Sequence, residues 1–357
     1  MRSKKYVLFF VLLLTGLIAN FGMPKSIIDQ ILMITTVGYD YVEEDTIRST
    51  VITPTYTPEK TVEDLLYTTT ASMVYENREK LNAQASEELL SGKMEVALYN
   101  DEMAKRGLND YIDHLLRDPG IGSGLYLGIV KGSTADFMSH VKSNKGAGIF
   151  LSDLLEHNIK DGSLPTTNLK MFSYAVSSKT YDPFLPMLGM KEGVPGLTAL
   201  AFFDNDKLVE TIPVEKGFIF KILYENIGEG QYNYVTEEYK TAIDNIQSTR
   251  DVHITKENGN YNVVFDVKFR GAVREYTGKK MTSRIPKIEK DLEKNFKKNA
   301  LKLINKFQEL NIDPLGIEEH VQSSSRSYDR KKFKEGYQDL PIDVKIKFTL
   351  VEIGVRR

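Results

Sequence analysis

Apolar and polar positions follow three different rhythms along this chain, and each rhythm predicts a kind of element. The first is an unbroken apolar run, Tyr6 to Ala19, preceded by Arg2, Lys4 and Lys5. A basic stretch before such a run reads as a signal peptide or signal anchor. Leu17-Ile18-Ala19 places a large residue where a cleavage site needs a small one. Tyr6 to Met23 supplies about 18 residues, or roughly 27 Å as a helix, which is enough to span a bilayer. Residues 1–24 are therefore expected to be an uncleaved anchor, with the basic end inside and everything after Pro24 outside.

The second rhythm is a succession of short strands and helices. Ile31–Tyr39 and Ile47–Tyr56 read as strands. Thr57-Pro58-Glu59 reads as a helix start, with Thr57 as N-cap and the helix carrying Leu65, Leu66 and Met73 to about Leu81. Lys93–Tyr99 and Leu125–Val130 are expected strands; Leu108–Arg117, stopped by Asp118-Pro119-Gly120, and Ile149–Lys160 are expected helices. The alternation predicts an α/β domain with a mixed sheet over residues 25–190. Pro183, Pro186, Gly189, Gly193, Pro195 and Gly196 crowd one stretch, which reads as a linker or domain boundary. Beyond it, Leu197–Phe203 and Leu208–Ile212 flank Asp204-Asn205-Asp206 as a hairpin, and Lys216–Tyr224 reads as a short helix, giving a middle α/β domain over 191–250.

The third rhythm dominates residues 251–357. Val252–Lys256 and Tyr261–Arg270 predict a hairpin turning on Asn258-Gly259. Ile285, Ile288, Leu292, Phe296, Ala300, Leu303, Phe307 and Leu310 recur every three or four residues and predict one long amphipathic helix. Val344, Ile346, Phe348 and Leu350 alternate in a last strand, expected to pair antiparallel with Tyr261–Arg270 under that helix. The fold class is thus α+β: about three mixed α/β domains, each a sheet flanked by helices, behind an N-terminal anchor.

Composition narrows the chemistry. The net charge of −2 creates no field favouring nucleic acid. With no cysteine in the chain, disulfides, thiolate zinc sites, cysteine nucleophiles and thioether-linked lipid anchors are excluded. Gly120, Gly122 and Gly124 form a G-x-G-x-G run, but it precedes a strand, whereas a dinucleotide fingerprint follows a strand and opens a helix. Asp204, Asp206 and Glu215 sit at relative positions 1, 3 and 12 of a calcium loop, but Leu208 and Val209 stand where that loop needs an oxygen ligand and a glycine, so a polar hairpin turn is expected. None of His114, His140, His157, His253 and His320 is paired at i+4. Glu318-Glu319-His320 reads as a solvated helix face rather than a cation site. Lys290, Lys294, Lys297, Lys298, Lys302 and Lys306, interleaved with Glu289, Asp291 and Glu293, read as the solvated side of the long helix. No catalytic, cofactor-binding or metal-ligating residue is assigned.

In their order, these segments resemble the Ger(x)C family, the C subunits of bacterial spore germinant receptors. The resemblance rests on Val37-Gly38-Tyr39-Asp40, on Leu127-Gly128-Ile129-Val130-Lys131-Gly132, on Leu197 to Phe203 followed by Asp206-Lys207-Leu208-Val209, and on Ile312-Asp313-Pro314-Leu315-Gly316-Ile317 after the long helix. Family members commonly carry a lipobox ending in cysteine. Here Leu13-Leu14-Thr15-Gly16 is followed by Leu17, so the apolar run must hold the membrane without lipid. The resemblance implies a three-domain, non-enzymatic protein without cofactor on the outer face of the spore inner membrane, beside an integral-membrane A subunit and a transporter-like B subunit. Direct contact with a germinant is left open. The alternatives are a membrane-anchored extracytoplasmic solute-binding protein, which would show a cleft of convergent aromatic and charged groups, or an extracytoplasmic hydrolase. The topology is testable: protease added to intact protoplasts is expected to digest everything from about Lys25 onward, and full protection would reverse the orientation.

Overall fold

A computed structural model describes residues 31–56, 61–257, 260–278 and 281–353. In chain order the strands and helices of the first half are β1 (Ile31–Met33), β2 (Thr36–Glu43), β3 (Thr46–Tyr56), β4 (Val62–Ala71), α1 (Val74–Gln84), β5 (Glu88–Leu90), β6 (Val96–Asn100), α2 (Asp101–Arg106), α3 (Asn109–Arg117), β7 (Tyr126–Val130), α4 (Thr134–His140), α5 (Ala147–Lys160) and α6 (Leu169–Ser178). The second half continues with β8 (Phe184–Lys191), β9 (Val194–Asp204), β10 (Lys207–Pro213), α7 (Gly217–Tyr224), β11 (Tyr232–Val235), β12 (Lys240–Glu257), β13 (Asn260–Tyr276), α8 (Met281–Glu309), α9 (Ile317–Ser324), α10 (Arg330–Gly336) and β14 (Ile342–Ile353). The expected anchor, residues 1–24, lies outside the described residues, as do Thr57 and the Asn258-Gly259 turn. Among the described residues no helix is long and apolar enough to cross a membrane.

An eight-stranded sheet in the order β10-β9-β8-β7-β6-β2-β3-β4 forms the first layer system. Its middle strands β2, β6, β7 and β8 are parallel, and its outer pairs are antiparallel. Parallel strands need cover on both faces, and all five residues of β6 are buried. One face, carrying Val37, Tyr39, Tyr99 and Ile129, packs on α1, α2, α3 and α6 through Leu81, Met103, Ile112 and Phe172. The other, carrying Ile52, Val96, Leu98 and Leu188, meets α4, α5 and α7 through Phe137, Leu151 and Phe220.

Three expectations change here. The helix read from Thr57 to Leu81 is a strand followed by a shorter helix: Val62–Ala71 pairs along its whole length with β3, and only Val74–Gln84 is helical. The β-branched run Thr68-Thr69-Thr70 suits a strand better than a helix. The apolar stretch Ile31–Tyr39 divides, β1 pairing with β5 in a small separate sheet and β2 entering the large one. The Pro/Gly-rich stretch is no linker. It forms the β8–β9 hairpin, in which Lys191 faces Val194 across Glu192-Gly193. The boundary expected at residue 190 therefore falls inside one sheet, and segment 191–250 is shared out: β9 and β10 join the large sheet, while β11 and β12 join the next.

That second sheet has the order β11-β12-β13-β14, and α8 lies along one face. β14 pairs parallel with β13, from Val263 opposite Ile342 to Val273 opposite Ile353, and not antiparallel as expected. The reason is the connection. Parallel neighbours require a crossover, and α8 carries the chain back about 44 Å over its 29 residues to the starting end of β13. Buried along the helix are Ile288, Leu292, Phe296, Ala300, Ile304 and Phe307; Ile304 takes the place expected of Leu303, which is only partly buried. Phe296 packs between Tyr232, Phe269 and Phe348, with ring centroids 4.6, 5.0 and 6.5 Å away. On the outer edge of β14, the Phe348 and Leu350 amides donate to the carboxylates of Glu293 and Glu289 at 3.0 and 2.9 Å. Among the lysines of α8, Lys297 and Lys306 are tied to Asp343 and Glu210, while Lys298 is exposed. Phe296→Ala is expected to cost about 3–5 kcal/mol in thermal or denaturant unfolding, and Lys298→Gln under about 0.5 kcal/mol. Equal losses would show that the seam is not where the helix packs.

Candidate functional site

The motifs examined in the sequence go to ordinary structural roles. Gly120, Gly122 and Gly124 lie in the turn between α3 and β7. Asp206 accepts the Asn109 amide at 3.1 Å and Glu215 pairs with Lys191, so these two carboxylates are committed to different partners. Among the described residues no group of three metal-ligating side chains is assembled. Glu318, expected on a solvated helix face, is fully buried and ion-paired with Arg330 at 3.2 Å and Lys334 at 3.0 Å, with the Tyr328 hydroxyl donating at 2.5 Å.

Glu318 belongs to a buried carboxylate junction between the two halves of the chain. Asp182, in the loop before β8, and Asp313, just after α8, clasp each other. The Asp313 amide donates to Asp182 Oδ2 at 2.7 Å, and the Asp182 amide donates to the Asp313 carbonyl at 3.1 Å. Asp313 Oδ2 in turn accepts the Glu318 amide at 2.7 Å, where α9 starts with otherwise unpaired N–H groups. The Tyr337 hydroxyl donates to the Ile312 carbonyl at 2.9 Å. Burial, aided by the nearby Asp182 carboxylate and opposed by these amides and Lys334, pushes Asp313 up to about 7. Asp182 is also raised, chiefly by burial.

Beside the junction opens a cleft of about 770 Å³ whose walls include Tyr174, Tyr181, Tyr224, Glu225, Arg250 and His320. Tyr181 and Tyr224 stack with their hydroxyls 2.5 Å apart, and Tyr174 donates to Glu319 at 2.9 Å. Gly316 forms part of the wall; at φ 67 it adopts a conformation few other residues accept, and its hydrogens face the Tyr181 ring. Burial, and then the Arg250 guanidinium, holds His320 below the usual imidazole range, while burial raises Glu225. The cleft therefore offers fixed charges of both signs beside aromatic faces. Asp182, Glu225 and Arg250 had no local sequence signal; Pro183, next to Asp182, reads only as part of the Pro/Gly-rich boundary.

Two family models match this chain in tandem: one described as the spore germination protein N-terminal domain, over residues 24–190, and one described as spore germination B3/GerAC like, C-terminal, over residues 198–354. The chain belongs to the Ger(x)C family of spore germination proteins. It is 26% identical to spore germination protein GerQC of Bacillus cereus, covering 99% of each chain. It is 18% identical to putative spore germination protein YfkR of Bacillus subtilis (strain 168), covering 79% of this chain and 77% of that one. Its fold matches the crystal structure of the GerBC protein with a TM-score of 0.62 at 15% identity, over 88% of this chain and 96% of that one.

In this Ger(x)C chain the segments behind the resemblance have physical roles. In Val37-Gly38-Tyr39-Asp40, a Cβ at Gly38 would stand 2.8 Å from the Thr134 Cβ, so only glycine lets α4 approach β2. Asp40 then accepts the first amide of that helix, Thr134 N, at 2.6 Å. In Ile312-Asp313-Pro314-Leu315-Gly316-Ile317, the aspartate anchors the junction and the glycine shapes the cleft. Asp313 makes stability depend on pH. The unfolded chain releases this proton near pH 4, whereas the folded chain keeps it to about pH 7. Within that window only the native state holds the proton, so stability falls as pH rises. Asp313→Asn keeps an oxygen for the Glu318 amide but cannot titrate. Its thermal unfolding profile is expected to be flatter between pH 5 and 8 than that of the unaltered chain, with the deficit smallest at pH 8. Parallel profiles would contradict the assignment.

Proposed function

We propose that this protein is the non-enzymatic C subunit of a spore germinant receptor, assembling or stabilising the receptor complex on the outer face of the spore inner membrane beside its integral-membrane A and B subunits. The observation that carries this reading is the tandem match to both family models, together with alignment to GerQC over nearly the whole of both chains. One apolar cluster runs from the large sheet through α8 to the second sheet, and such a tie supports a scaffold role. The apolar run Tyr6 to Met23 would confine that body to the membrane and raise its effective concentration next to partners even when pairwise contact is weak.

The cleft favours a second reading, that of an anchored solute-binding protein, since Tyr181, Tyr224, Glu225 and Arg250 converge on one concavity. One set of spores separates the two. Spores lacking the protein should form and resist heat normally, yet respond poorly to one germinant class, in a strain stripped of its other receptors. Replacing Leu12, Leu13 and Leu14 with charged residues should mimic deletion. Arg250→Gln and Glu225→Gln should leave germination intact if the role is assembly, and should abolish the response to that class if the role is solute binding. Wild-type germination of the deleted spores with every germinant would sink both.

A further inference from the structure

A second hollow, of about 540 Å³, lies on the face of the large sheet covered by α1 and α3. Its floor is made by β2 and β3, and its walls by α1, the C-terminal end of α3 and the segment around β5. The lining mixes apolar side chains with polar ones, and the polar groups differ in how they are satisfied. Tyr39 and His114 are paired through the phenol and Nε2, 2.9 Å apart, which leaves His114 Nδ1 without a hydrogen-bond partner among the described residues. Burial keeps the imidazole neutral and the phenol protonated, so the phenol donates and the ring accepts.

Ser49 and Asn77 are not satisfied. Ser49 is 2% exposed and Asn77 is 0% exposed. Asn77 donates through Nδ2 to the Ile47 carbonyl at 3.1 Å, which leaves Oδ1. Among the described residues neither Asn77 Oδ1 nor Ser49 Oγ has a hydrogen-bond partner. Buried polar atoms are almost always paired, and an acceptor left bare at the wall of a hollow marks where a donor is missing. Ser49 also interrupts an aliphatic row, standing between Ile47 and Val51 on the inward face of β3, where its small side chain leaves the space open. The rim carries no uncompensated ion: Arg78 pairs with Asp118 at 3.4 Å and Arg117 with Asp113 at 2.5 Å.

We propose that this hollow is a binding site for an uncharged, mainly apolar small molecule carrying a hydroxyl or N–H donor, with Asn77 Oδ1 accepting that donor and Ser49 Oγ completing the contact. The volume is in the range of small-molecule pockets. The proposal does not depend on the receptor assignment. It is tested on the full chain in lipid nanodiscs, with methyl-labelled protein and two probes, p-cresol and toluene, which differ by one hydroxyl. p-Cresol is expected to shift the methyl signals of Val51 and Leu89 saturably, and toluene to bind about tenfold more weakly, since it leaves the acceptor bare. Ser49→Leu fills the hollow and should abolish p-cresol binding. If that variant does not fold, Ser49→Val, which adds bulk and removes the hydroxyl, should weaken binding in the same direction. The proposal is overturned if neither probe gives saturable shifts, as for a hollow holding water only. It is equally overturned if the probes bind equally, if the shifts map elsewhere, or if p-cresol affinity is unchanged in the folded Ser49 variant.

Discussion

The ring of Phe307, from α8, rests against Phe202 of the large sheet and Phe220 of α7, with centroids 4.9 and 5.9 Å away. Phe220 also meets Phe184 and Phe202 edge-on at 4.9 Å each. From there the same apolar cluster continues along α8, through Phe218 and Phe296, to the second sheet. Interiors packed at this density transmit a displacement rather than absorb it, so the two sheets cannot shift independently. The two family-model segments divide the chain at residues 190 and 198, yet β9 begins at Val194 and completes the sheet of the first segment. Phe202, Phe220 and Phe307 lie in the second segment, but Phe184, which packs on Phe202 and Phe220, lies in the first, so the second segment alone would uncover that side of the contact.

Around that apolar contact runs a set of partly or fully buried polar ties. Asp182, Asp313 and Glu318 lie where the chain leaves α8 and enters α9. Removing charges from water is costly, and a buried ion pair offsets this only with good geometry and added hydrogen bonds. Glu318 has two cations and a phenol; Asp313 has amides instead. Burial is what makes Asp313 hold its proton, and the amides only partly offset it. The junction fixes the position of residues 313–320, and with them the wall of the neighbouring cleft, more by directional bonds than by apolar area.

What could be read from the sequence was whatever local spacing decides. The seam of α8 was legible because a helix repeats every three to four residues, and only its phase slipped, from Leu303 to Ile304. The β9–β10 hairpin was legible because Asp204-Asn205-Asp206 interrupts two apolar runs. Strand β4 was missed because Thr57-Pro58-Glu59 looks like a helix start, and the deciding fact is its pairing with β3, which no single segment encodes. The direction of β14 was missed for the same reason, since its alternation is identical in either orientation. Asp182 and Asp313 are 131 residues apart, and neither carries a mark of the other. The resemblance flagged Asp313 and Gly316 as a motif without saying what they hold.

Because Glu293 and Glu289 occupy the Phe348 and Leu350 amides, in that order, the free edge of β14 is not an open template. An exposed edge strand ordinarily invites another extended chain to add to it, whether a partner's peptide or a second copy of the same protein. Here an incoming strand would have to strip two carboxylates that α8 holds in place, and Lys347 beside Glu293 tightens that hold. The helix that forms the core of the second sheet therefore also closes its border, so growth of the sheet into a filament is blocked at this edge.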